Sequence, residues 1–146
     1  MDLQSENYPS PRETYNFIGN DRIVDFFVLS EENNRLHHAY LLSGDKGIGK
    51  ATFAYNFARY LFNNKKNNFS RIDRDNMHSR LIESRSHPDL FVIEIDKDSK
   101  KNKIDVNQVR ECINFFNYTT SISNYKICII DSLDDMNLNS ANAILK

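Results

Sequence analysis

Cysteine is nearly absent from this chain: Cys112 and Cys128 are the two it has in 146 residues. Their spacing makes neither a metal-binding pattern nor a disulfide framework. Long apolar runs are missing too, and none nears the roughly 20 residues that cross a bilayer. The opening segment, Met1-Asp2-Leu3-Gln4-Ser5-Glu6, has neither the basic nor the apolar part of a secretory signal. Neither sign of charge is in excess, with 19 Lys+Arg against 20 Asp+Glu and a net charge of -1. That balance argues against a protein that holds nucleic acid by bulk electrostatics. Together these absences lead us to expect a chain of the reducing cytoplasm, with no membrane among its partners. Glycine is scarce as well, yet three of the four glycines fall between positions 44 and 49.

What is present is enough for a core. With 40% apolar residues and 12% aromatics, the chain can build one domain and is too short for two. Residues 1–18 read as a polar arm, and residues 19–146 as the domain. Gly19-Asn20-Asp21 starts a helix whose apolar face carries Ile23, Val24, Phe26, Phe27 and Leu29. Ala39 to Leu42 is short and apolar on both faces, as a buried parallel strand should be. A second helix follows the glycines, with Phe53, Ala54, Phe57, Ala58, Tyr60, Leu61 and Phe62 at helical spacing, and polar residues 63–68 end it. Residues 69–86 are charged, with weak helical character from Met77 to Ser84, and Pro88 stops any helix. Leu90 to Ile95 is a second strand. Lys97 to Lys103 is a solvated loop. Val106, Val109, Ile113 and Phe116 mark one face of a third helix, and Ile127 to Ile130 is a third strand ending in Asp131. A last helix opens near Asn137. Strands alternating with helices predict a parallel, three-layer α/β fold.

The run Tyr40-Leu41-Leu42-Ser43-Gly44-Asp45-Lys46-Gly47-Ile48-Gly49-Lys50-Ala51-Thr52 is the most specific feature. It is a phosphate-binding loop, G-x-x-x-x-G-K-[ST], with its last position broken. Glycines let the backbone curl until several N–H groups point at one anion, and the helix N-terminus adds partial positive charge. Gly44, Gly47, Gly49, Lys50 and Thr52 are the candidate phosphate-binding residues. The hydroxyl that normally holds magnesium belongs at position 51, where Ala51 has none.

Four apolar residues closing on Asp131 fit a Walker B strand, whose acid meets magnesium at the C-terminal edge of the sheet. Asp131 reads equally as a turn or capping residue. Active ATPases of this architecture place a glutamate next, to polarise water. Here the residue is Ser132, which cannot act as a base near neutral pH. Two catalytic positions are therefore defective. Weak binding of ATP or ADP, with little gained from magnesium, and no hydrolysis are the expectation.

Five segments together resemble the delta-prime family of the bacterial DNA polymerase III clamp loader, AAA+ proteins related to the gamma/tau subunits. They are His38-Ala39-Tyr40-Leu41-Leu42, Gly47-Ile48-Gly49-Lys50, His87-Pro88-Asp89-Leu90, Ile104-Asp105-Val106-Asn107-Gln108-Val109-Arg110 and Asn139-Ser140-Ala141-Asn142-Ala143-Ile144-Leu145-Lys146. The resemblance covers roughly residues 10–146. It implies a structural AAA+ module in DNA replication, with gamma/tau and delta subunits as partners, and sliding clamp and primed DNA met through the complex. Many delta-prime relatives lack a working ATPase site, in keeping with Ala51 and Ser132. Many also carry a four-cysteine zinc module; residues 63–88 hold no cysteine, so no zinc is expected. In relatives a fourth strand lies between the first and third, followed by a sensor motif and the lid and collar domains. The resemblance thus implies a partial, truncated AAA+ sheet here, stopping before the sensor strand.

Other residues read blandly. His38 and His87 flank apolar segments and suit packing or hydrogen bonding. Cys112 and Cys128 sit on apolar faces as small hydrophobes. The lysines at 65–66 and 97–103 belong to solvated loops. Two other functions compete with the structural module: an active gamma/tau-type ATPase, and an unrelated P-loop protein such as a small NTP-dependent kinase, for which the sequence shows no basic lid.

Overall fold

The computed structural model describes residues 8–64, 68–95 and 103–144. The expected solvated loop at 97–103 and the lysines at 65–66 lie mostly outside the described residues. Length predicts one domain; the chain divides into two compact units, Met1–Glu83 and Ser84–Lys146, each with its own core.

The first unit is built around an aromatic helix. Helix α1 (Asp21–Glu32) opens where Asn20 predicts, its side chain accepting a hydrogen bond from Arg22 N–H at 3.1 Å. Helix α2 (Lys50–Phe62) follows the glycine loop and ends at Asn63. It is buried on nearly every side from Phe53 to Phe62, as a helix apolar all round must be. Phe27 of α1 meets Phe53 and Phe57 of α2 at 5.0 Å each, and Phe69 joins Phe53 at 5.5 Å. Tilted and edge-to-face rings of this kind add to the gain from burial. Helix α3 (Met77–Glu83) is short, and Asn76 accepts from His78 N–H at its start.

The arm is not loose where it is described. Arg59 is fully buried on α2, hydrogen-bonded to the Arg12 carbonyl and to Asn56 Oδ1, with its guanidinium 4.2 Å from the centre of the Tyr15 ring. Arg12 lies over Tyr55 in turn, at 5.0 Å. Burial pulls the Arg59 guanidinium below its ordinary value, and Tyr15 and Glu83 oppose that. A buried cation with these partners fastens residues 12–15 to α2.

The second unit is a β-α-β arrangement. Strands β1 (Leu90–Glu94) and β2 (Ile127–Asp131) pair in parallel, Leu90 opposite Ile127 and Glu94 opposite Asp131. Helix α4 (Val106–Phe116) forms the crossover that parallel strands require. Asp105 and Gln108 close a capping box at its N-terminus. Helix α5 (Leu138–Ile144) packs on α4. One face of the sheet, with Phe91, Ile93, Cys128 and Ile130, meets Ile104, Val109 and Cys112 in an aliphatic core.

Three expectations need correction. Ala39–Leu42 is irregular backbone, not a strand, and Leu41 is 73% exposed. A strand has no internal hydrogen bonds, and among the described residues only β1 and β2 pair as strands. Among the described residues the sheet is therefore two parallel strands within a mixed α/β arrangement. The α4 face is rotated: Val109 and Cys112 are buried, whereas Ile113 and Phe116 are about half exposed. On α1 only Phe27 of the apolar face is buried, and Ile23, Phe26 and Leu29 are exposed.

Candidate functional site

The glycine loop lies in the first unit, between residues 44 and 49. Gly47 and Gly49 have φ of 88° and 96°, a left-handed backbone that side chains resist. At Gly49 an added Cβ would also meet the Phe17 ring at 3.4 Å. These two glycines therefore fix the curl that delivers the chain into α2, with Gly49 as its N-cap residue. No side chain caps that helix, so its N-terminal partial charge has no local acceptor side chain. Such an end suits an anion.

Lys50 is the first helical residue. Its ammonium donates to the Gly44 carbonyl at 2.7 Å and the Asp45 carbonyl at 2.8 Å. The lysine thus closes the loop on itself through two of the loop's own carbonyls. Ala51 and Thr52 follow within the first turn, both half-buried. Gly44, Gly47, Gly49, Lys50 and Thr52 lie in one loop-helix element.

Asp131 lies in the second unit. It ends β2, is exposed, and stands opposite Glu94 in the strand register. Ser132 begins the turn that follows, its hydroxyl donating to Asp135 Oδ2 at 3.0 Å. That bond ties Asp135 to a short 3-10 turn, Leu133–Asp135, so the neighbouring acid is held by the turn. Among the described residues no three His, Cys, Asp or Glu side chains group to hold a metal ion.

His87 was expected to pack or to hydrogen-bond, and it does so together with Asp89. His87 is buried, and its Nδ1 accepts from Asp89 N–H at 3.1 Å. The fully buried Asp89 carboxylate accepts from Ser121 N–H, Ile122 N–H, Ser123 N–H and Ser123 Oγ, at 2.6 to 3.0 Å. Burial by itself raises a carboxyl, but these four donors overcome it and hold Asp89 below its ordinary value. No local signal marked this, because the donors come from residues 121–123, far along the sequence from Asp89. His38, by contrast, is exposed and packs in no core.

The resemblance can now be set beside known proteins. A family model described as "DNA polymerase III, delta subunit" matches residues 19–146. This chain belongs to the DNA polymerase III delta-prime clamp-loader family. It is 33% identical over 109 residues to the DNA polymerase III subunit delta' of Pseudomonas aeruginosa, covering 75% of this chain and 32% of that protein. The delta' subunit of Bacillus subtilis is 33% identical over 125 residues, 86% of this chain and 36% of its own length. The tau/gamma subunit of Haemophilus influenzae is 31% identical over 136 residues, 93% of this chain and 19% of its own. The chain thus spans about a third or less of the length of these relatives. Among the described residues no helix is long and apolar enough to cross a membrane.

Proposed function

We propose that this chain supplies the AAA+ module of a delta-prime-type clamp-loader subunit, a structural part of the loader rather than its motor. One observation carries the reading: a glycine loop curls into α2 and ends at Lys50, while in the sequence Ala51 brings no hydroxyl for magnesium and the residue after Asp131 is Ser132 rather than a water-polarising acid. Family membership supports the setting, DNA replication beside gamma/tau and delta subunits, with the sliding clamp and primed DNA reached through the complex. The three-layer P-loop sheet belongs to the same proposal.

In this reading Gly44, Gly47, Gly49 and Thr52 cradle phosphate at the α2 N-terminus, and Lys50 exchanges its two loop carbonyls for phosphate oxygens. Asp131, at the end of β2, is followed by Ser132 where an active ATPase would carry glutamate. ADP or ATP binds weakly, and magnesium adds little because its protein hydroxyl ligand is missing. Hydrolysis stays at background: the base and charge-stabilising groups it lacks are each worth roughly 10²–10⁵ in rate.

Calorimetric titration with ADP and ATP, with and without magnesium, tests this beside a Lys50→Ala variant. The expected result is weak binding that Lys50→Ala abolishes and magnesium leaves within about twofold. A large magnesium-dependent gain would overturn it. A second reading, an active gamma/tau-type ATPase, draws support from the similarity to the Haemophilus influenzae tau/gamma subunit. Steady phosphate release that disappears in Lys50→Ala would establish that reading instead.

A further inference from the structure

The two cysteines, 16 residues apart in sequence, are neighbours in the fold. Cys112 faces inward from α4 and Cys128 lies on β2, and their sulfurs are 2.8 Å apart. Both belong to the same aliphatic core, Cys112 buried and Cys128 half-buried. The surroundings, Ile93, Ile104, Val109, Ile130, hold the two elements in register. Sulfurs this near need little backbone movement to bond.

We propose that Cys112 and Cys128 are a modification site: on exposure to a two-electron oxidant such as hydrogen peroxide, they form a reversible disulfide that joins α4 to β2. One of the two sulfurs, as thiolate, takes one peroxide oxygen; the O–O bond breaks and hydroxide leaves, picking up a proton to become water. The other sulfur then attacks the oxidised one. The S–S bond forms, the S–O bond breaks, and a second water leaves with the proton of the attacking thiol. Two thiols and one peroxide become one disulfide and two waters. The new bond fastens α4 to the strand that carries Asp131.

The test uses the full chain, reduced and then treated with hydrogen peroxide. Aliquots are denatured, alkylated with N-ethylmaleimide, and weighed intact and after proteolysis. The expected product is a monomer lighter by two hydrogens, carrying no maleimide, with the Cys112 and Cys128 peptides linked and released by dithiothreitol. Cross-linking in native buffer runs about tenfold or more faster than in concentrated urea, because folding supplies the proximity. Cys112→Ser yields no linked peptides. Two maleimides per chain, oxygen added separately to each cysteine, disulfides only between chains, or equal rates with and without urea would each overturn the proposal.

Discussion

Ala39-Tyr40-Leu41-Leu42 and Ile127-Cys128-Ile129-Ile130 look alike as sequence. Each is a four-residue apolar run before a residue set with nucleotide-site character. In the structure they part company. Ile127–Asp131 is a strand, paired in register with Leu90–Glu94 and covered by α4. Residues 39–42 are irregular, and Leu41 lies in the open. The difference lies in the neighbours. The second run is delivered to a partner strand by a loop whose backbone N–H groups are gathered on the buried Asp89 carboxylate. The first run has an aromatic contact, Tyr40 with Phe27 at 4.5 Å, but no strand beside it among the described residues. Apolar pattern gives a segment the capacity to be a strand; a partner's donors and acceptors make it one.

The change with the largest expected effect makes the second run like the first. Asp89→Ala removes the acceptor of four donors and frees the loop ahead of β2. A loss of about 3–5 kcal/mol is expected, measured by urea unfolding, because buried donors left without acceptors carry a full desolvation penalty. A loss under about 1 kcal/mol would show that β2 finds its partner without Asp89.

Next comes Ile129→Ala, in the middle of β2 and buried. It should cost about 2–4 kcal/mol in the same experiment through lost burial and a residual cavity.

Acid gives a smaller and graded effect. Asp89 is held below the ordinary carboxyl value in the folded chain, so between the two values the unfolded chain binds more protons. Its contribution is therefore fully present above the ordinary aspartate range, near pH 4, and is lost as pH falls through the folded value. The acid midpoint of wild type, followed by circular dichroism, should show this loss, and Asp89→Asn should flatten it.

The smallest effect is expected from Leu41→Ala, within about 0.5 kcal/mol of wild type, since its side chain already meets water. A cost near that of Ile129→Ala would mean that residues 39–42 are packed in solution as β2 is packed here.

The helices were largely legible before any coordinates. Asn20 capped α1 and polar residues after Phe62 ended α2, because capping is satisfied by side chains within a few residues of the backbone groups they serve. The glycine loop was legible for the same reason: its conformation is a local demand that Gly47 and Gly49 meet by having no Cβ. The inward face of α4 was read one residue off at Ile113 because periodicity over three turns tolerates such a rotation, and only the packed neighbours select Cys112.

The sequence by itself determined where helices start and stop and where the backbone must curl, and it puts Ala51 after Lys50 and Ser132 after Asp131. Each of these is a property of one residue or its near neighbours. Only the tertiary structure decided which apolar run became a strand, what the Asp89 carboxylate holds, that Arg59 fastens the arm, and that two distant cysteines meet. Those outcomes depend on groups tens of residues apart in sequence satisfying each other's hydrogen bonds and filling shared volume, and no local pattern carries that information.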